Sequence, residues 1–412
     1  MGPIVRAGNA GRAALTPRGA AASVAHPHGR DAMARITDIR IVAVQHQLGA
    51  GRAYGMARGL TGVRGAGIVL LETDAGVQGI GEAWGPPTVT RAYLELIRPS
   101  LIGASVFGVR AVAQGIFARH YHLGTQNQMV AALSGIDIAA HDAIGKLFGV
   151  PVADLIGGRQ RDRVPVYCSG GYFTEEDDQL AALARQLEPH TDAGFPAFKI
   201  KLGRRPDEDA ARARLARRII GDRALLTVDV NGNYTLDAAL ESMRRIADAE
   251  VHWVEEPLAP QDWAGYAELA RRAPIAVATG EALYTLFDFR RLIDGRLAAI
   301  LQPDLALCGG LDVARTIGIL AGAEHLRVSP HCWGTGVGLA AAVHWVASLP
   351  SYPHGANVPY PALVEYDVGP NPLRDGLFVE PLRFENGHLH VPTGPGLGVT
   401  LDPEALKRFT VD

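Results

Sequence analysis

At 412 residues the chain is long enough for two or three domains, or for one barrel with an appendage. Hydrophobic residues make up 48%, charged residues 20%, and the formal charge is −3, the balance of an ordinary soluble enzyme. No Lys/Arg run forms a nucleic-acid footprint, no apolar run is long enough for a membrane anchor, and three scattered cysteines (Cys168, Cys308, Cys332) exclude a disulfide framework or a thiolate zinc site and fit a reducing, cytoplasmic setting.

Residues 1–34 are rich in Ala, Gly, Arg and His and poor in acids, with Met33 just before the first strand. They are expected to be a disordered leader or an overlong gene start that takes no part in chemistry. From Arg35, "ITDIRIVAV" and "AGIVLLETDAGVQGIGEAW" read as strands. The turn Asp74-Ala75-Gly76 joins two extended runs into an antiparallel hairpin. A helix is expected from about Val89 and another over Gln128 to Phe148, where apolar residues recur at three- and four-residue steps. Residues 35–158 therefore read as a small α+β domain.

Beyond it, short apolar strands alternate with amphipathic helices. The strands are "VPVYCSG", "AFKIKLG", "LLTVDVNG", "VHWVEEP", "IAVATGE", "AAILQPD", "HLRVSPH" and "ALVEYD"; the helices include Pro206 to Ile220, Leu236 to Ala249, Trp263 to Arg272, Leu286 to Asp294 and Leu311 to Ala323. Eight such strands over residues 159–368 are the pattern of a (β/α) barrel. Residues 369–412, containing "VPTGPGLGV", are expected to fold back as irregular chain.

A polar residue recurs where each repeat's strand ends: Lys201, Asp229, Glu255 or Glu256, Glu281, Asp304 and His331, at intervals of 23 to 28 residues. In a barrel these ends converge on one mouth. Asp229, a Glu of the Glu255-Glu256 pair, and Glu281 would repel one another unless a cation held them, and an all-oxygen set favours Mg²⁺, or Mn²⁺ in its place. Lys199 and Lys201 share one side of their strand. The expectation is a Lys201 whose pKa is lowered by its neighbour, serving as a base. Asp304 on the next strand would orient His331 and raise its basicity. A cation between a lysine and a histidine suits removal of the proton α to a carboxylate, because the charge develops where the cation and ammonium groups point.

The series "KIK", "DVNG", "WVEEP", "TGE", "QPD" and "SPH", in this order, resembles the mandelate racemase branch of the enolase superfamily, over nearly everything from Arg35 onward. The resemblance implies an N-terminal capping domain, a modified barrel lacking one outer helix, and Mg²⁺ held by Asp229, Glu255 and Glu281. It further implies Lys201 and His331 as acid/base groups, with Asp304 behind His331, and Lys199 as the lysine that neutralises substrate carboxylate. Glu365 in "LVEYD" is the candidate for a further acid near the last strand, and Glu256 is expected beside the ion rather than on it. Within the branch, "SPHCWGTGVGLAAA" and "TGPGLG" are similar to the D-galactarolactone cycloisomerases, which implies lactone ring opening. Acid-sugar dehydration, racemisation or epimerisation, and a non-catalytic metal scaffold are the alternatives.

Substrate contacts are expected from the capping domain: Arg52, Tyr54 and Arg58 in a glycine-rich loop, and Gln126 and Asn127 before a helix. Trp333, two residues after His331, joins them. The expected partner is a small-molecule carboxylate, and the expected assembly a symmetric homo-oligomer.

Overall fold

The computed structural model describes residues 34–350 and 360–411. The expected leader lies outside the described residues. Near the N-terminus come strands β1 (Ile36–Gln47), β2 (Tyr54–Met56), β3 (Gly59–Thr61), β4 (Val63–Thr73) and β5 (Gln78–Ala83). Helices α1 (Pro87–Leu101), α2 (Val109–Arg119) and α3 (Gln128–Phe148) follow, α2 not being foreseen. β1, β4 and β5 form an antiparallel sheet, with the 74–76 turn joining β4 to β5 as expected. β4 reads "GIVLLE" rather than alternating because both faces are covered. Val69 and Leu71 pack under the helices, while Ile68 and Leu70 belong to the core shared with the barrel. Gly79 and Gly81 let α3 lie on β5: a Cβ at either would collide with the carbonyl oxygen of Ala139 or Gly135.

After the short α4 (Val152–Leu155) the barrel begins. Its strands are β6 (Arg163–Ser169), β8 (Ala197–Lys201), β9 (Leu225–Asp229), β10 (Val251–Glu255), β11 (Val277–Thr279), β12 (Ile300–Leu301), β13 (Arg327–Val328) and β14 (Val364–Asp367). Neighbouring barrel strands pair in parallel from β6 and β8 through to β13, and β14 returns to pair with β6, also in parallel. Between β13 and β14, Ser329 Oγ donates to the Leu363 carbonyl at 2.6 Å. The outer helices are α5 (Gln179–Leu187), α6 (Pro206–Ile220), α7 (Leu236–Arg245), α8 (Trp263–Arg272), α9 (Thr285–Gly295), α10 (Gly310–Ala323) and α11 (Gly336–Ser348). Where the last strand's outer helix would lie there is only the four-residue α12 (Pro372–Asp375), so the barrel is the modified form with one outer helix missing.

Two features tie the flanking chain to this frame. β2 pairs with both β3 and the two-residue β7 (Phe173–Thr174), which belongs to the loop after the first barrel strand. The tail is more regular than expected. β15 (Phe384–Glu385) and β16 (His388–His390) form a hairpin that extends β6 antiparallel, and α13 (Pro403–Phe409) follows. Leu397 N donates to Asp142 of α3 at 2.7 Å, and Thr410 bridges Val44 of β1. No helix among the described residues is long and apolar enough to cross a membrane.

Candidate active site

The parallel register places Lys201, Asp229 and Glu255 side by side at the ends of three adjacent strands. Glu281 lies two residues past β11, while Asp304 and His331 each lie three residues past their strands. One carboxylate oxygen from each of Asp229, Glu255 and Glu281 falls within 4.8 Å of the others. Lys199 is fully buried beneath them. Its ammonium sits 2.6 Å from Glu255, 2.8 Å from Glu365 and 3.8 Å from Asp229. Lys201 donates to Asp229 Oδ2. His331 Nδ1 is 2.7 Å from Asp304 Oδ2, and its Nε2 lies 3.7 Å from Glu281 and 3.8 Å from Glu365. Every catalytic and metal-ligating candidate therefore stands in one cluster.

The electrostatics follow from crowding. Burial, together with Asp229, Glu281 and Glu365, pushes Glu255 up to about 8 despite Lys199. Burial and the neighbouring acids likewise raise Glu256, which turns back at a positive φ of 38° and leaves Oε1 without a partner. Glu281 Oε2 is also buried and unpartnered. For Asp229 and Glu365, burial raises the pKa but the lysines, with His331 for Glu365, bring both carboxyls down. Burial lowers His331, yet Glu281, Glu365 and Asp304 outweigh it and bring the imidazole up to about 10. One expectation is corrected. Burial and Lys199 do pull Lys201 down, but Asp229, Glu281 and Glu255 overcome them, so its pKa is raised rather than lowered.

This donor set fits a hard divalent cation. Three convergent carboxylates, an orphaned Glu281 oxygen and a Glu255 forced toward protonation are relieved together by one positive charge between them. Asn231 orients two of the acids: its backbone N–H donates to Asp229 at 2.8 Å, and its amide reaches Asp229 at 3.0 Å and Glu281 at 3.4 Å. Gln302 donates to Glu255 Oε2 at 2.6 Å.

The capping-domain candidates divide. Tyr54 and Trp333 meet with ring centroids 6.4 Å apart, and both touch Tyr172. Arg58 is exposed but donates to the Gly232 carbonyl, one residue from Asn231. Arg52 is exposed on the loop and is not brought into the cluster. Gln126 points to Asp288 at 3.0 Å, and Asn127 caps α3 through Met129 N at 2.9 Å, so neither amide joins the site.

Sequence reasoning passed over several residues that shape the mouth. Arg64, 2% exposed, pairs with Asp367 at 2.6 Å, donates to the Tyr54 hydroxyl at 2.7 Å and to the Trp333 carbonyl at 2.5 Å, and lies over the Trp333 ring at 3.6 Å. Tyr172 donates to Asp367 at 2.8 Å and accepts from Trp333 Nε1 at 3.0 Å; its ring lies 5.9 Å from the Lys201 ammonium. Ser169 donates to Glu365 at 2.6 Å. The available signal was a charged residue inside an otherwise apolar strand, as with Arg64 in "VRGAGIVLL" and Glu82 in "GIGEAW".

Two family models match: the mandelate racemase/muconate lactonizing enzyme N-terminal domain over residues 37–157, and the enolase C-terminal domain-like family over 179–405. The chain is 34% identical over 342 residues to the D-galactarolactone cycloisomerase of Agrobacterium fabrum (strain C58), covering 83% of this chain and 90% of that one. It is 30% identical to the arabinonate dehydratase of Saccharolobus solfataricus, covering 82% and 89%. A crystal structure of a racemase from Streptomyces coelicolor A3(2) with bound magnesium superposes with a TM-score of 0.80 at 27% identity, covering 91% of this chain and all of that one.

Proposed function

Because the chain belongs to the mandelate racemase and muconate lactonizing enzyme group of the enolase superfamily, we propose that it removes the proton α to the carboxylate of an acid sugar lactone and opens the ring by β-elimination. The single observation that supports this reading most is that Lys201 pairs with Asp229 while His331 Nε2 lies 3.7 Å from Glu281, two different members of the Asp229–Glu255–Glu281 cluster. A reaction centre held between them has a proton-transfer group on each face.

Lys201 takes the α-proton. Lys199, held among Asp229, Glu255 and Glu365, faces the substrate carboxylate as a fixed positive charge. The Cα–H electron pair moves into a Cα–Cβ double bond, the Cβ–O bond breaks, and the ester oxygen leaves with the proton from His331 as a carboxylic acid. The resulting enol becomes a 2-keto acid, so the product is an isomer of the lactone. His331, paired with Asp304, stands on the far face to give its proton to the departing oxygen. Asp229, Glu255 and Glu281 would hold Mg²⁺, or Mn²⁺ in its place, which stabilises negative charge on the substrate carboxylate and neutralises the acids that otherwise keep Lys201 charged. The cap, with Tyr54 and Arg64 against the mouth, excludes water from the reacting carbon.

A second reading is loss of water from a free β-hydroxyl, supported by the likeness to an arabinonate dehydratase. It uses the same two residues with a different leaving group. A panel of acid sugars and their lactones, incubated with Mg²⁺ in D₂O and followed by NMR, tests both. The expected result is ring opening of a lactone to a 2-keto acid with deuterium at the former β-carbon, where the enol takes up a solvent deuteron. Loss of water instead selects the second reading, and the absence of ring opening, loss of water and α-exchange across the whole panel overturns both.

A further inference from the structure

The segment 331–338, His331-Cys332-Trp333-Gly334-Thr335-Gly336-Val337-Gly338, leads from the end of a barrel strand into α11. Its first half is irregular, and its backbone is held by side chains distant in the chain. Cys332 N donates to Glu365 at 3.1 Å, the Trp333 carbonyl accepts from Arg64 at 2.5 Å, and the Gly334 carbonyl accepts from Asn371 at 2.8 Å. The largest share falls to Glu82, the fifth residue of β5 in the capping domain, 1% exposed. Its carboxylate accepts from Thr335 N at 3.0 and 3.1 Å, from Thr335 Oγ1 at 2.6 Å and from Gly338 N at 2.8 Å. Gly334 and Gly338 are part of the same fit: a Cβ at Gly334 would overlap Glu82 Oε1, and one at Gly338 would press on Oε2 at 3.0 Å.

We propose that Glu82 is a positioning residue for His331: a carboxylate of the capping domain that fixes the segment carrying the imidazole and so sets its distance from Asp304 and the reaction centre. A carboxylate is required because four hydrogen bonds arrive at two oxygens and no donor is needed there. Glutamine has the same shape but turns an N–H group against one of those donors. The cap thereby acts on chemistry as well as on access.

The test uses the full-length protein with Glu82→Gln and the milder Thr335→Val, which removes only the hydroxyl. Backbone hydrogen–deuterium exchange, which does not depend on the proposed reaction, should be at least about tenfold faster over residues 332–338 in Glu82→Gln and unchanged over residues 199–202. With a substrate in hand, kcat should fall at least about tenfold while KM stays within about threefold, with Thr335→Val intermediate. If Glu82→Gln does not fold, the same two readouts on Thr335→Val decide. Unchanged exchange over 332–338, or an exchange rise shared equally by 199–202, overturns the proposal. So does a change in KM alone. A wild type inactive on every acid sugar, with local exchange still behaving as stated, would overturn the proposed reaction and leave the positioning role of Glu82 standing.

Discussion

Lys201, 8% exposed, donates to Asp229, while His331 leans on Asp304, and both side chains end at the acid cluster rather than in the apolar core. Replacing either by alanine is therefore expected to lower kcat by about 10²- to 10⁴-fold while a calorimetric Mg²⁺ titration still shows one ion bound. Asp304→Asn keeps the shape but removes one of the charges that raise the imidazole. It should cost about 10- to 100-fold in kcat and shift the histidine limb of the pH–rate profile downward. These residues were legible because a barrel converts a regular spacing into a shared location: each strand delivers its last polar residue to the same rim. Arg64, Tyr172, Asp367 and Glu82 were not. Their partners lie up to 303 residues away, so no local pattern records the pairing, only a charge where an apolar residue would be expected. Gln126 and Asn127 show the converse. An amide-rich stretch before a helix is what an N-cap requires, and Asn127 meets that need.

Among the elements, α3 was readable almost residue for residue, since its 21 residues are buried nearly all round and its apolar period is unbroken. Its contact with β5 depends on glycine. Gly81→Ala would force the helix off the sheet and is expected to destabilise by about 1–3 kcal/mol or more, read as a lower urea midpoint. The same helix carries a pH-dependent contribution. His141 Nδ1 lies 2.8 Å from the Asp137 carbonyl and 3.4 Å from its carboxylate. Burial lowers its pKa, but Asp137 and Asp312 more than reverse this, to about 9. Because the folded value exceeds the unfolded one of about 6.5, the stabilisation is complete below that pH and is lost as pH rises toward 9. In His141→Gln, melting temperature should vary less between pH 6.5 and 9 than in the wild type. The tail was read as irregular because its glycines and prolines hide a hairpin of only two- and three-residue strands, which is paired to β6 rather than stable alone.

At the scale of the molecule, cap and barrel are less separable than a boundary at residue 158 suggests. Ile68, Leu70 and Ile80 share one core with Val164, Val337 and Ala341, and Arg64 and Glu82 carry the capping sheet to the mouth. Composition and length could not announce this, since a buried interface reads in sequence like any other core. A cation bound only by the folded protein should stabilise this whole unit. Mg²⁺ at 100 times its Kd adds about 2.7 kcal/mol, and Glu281→Gln should weaken that response. The proposed reaction rests on Lys201 as the base at Cα and His331 as the acid at the departing oxygen. The direct measurement is ring opening and α-proton exchange of a turned-over acid sugar lactone in D₂O with Mg²⁺, in the wild type, Lys201→Ala and His331→Ala. Lys201→Ala is predicted to lose both ring opening and α-exchange, and His331→Ala to lose ring opening while the recovered substrate still exchanges its α-proton. A Lys201→Ala variant that still exchanges the α-proton, or a His331→Ala variant that opens the ring at the wild-type rate, would contradict it.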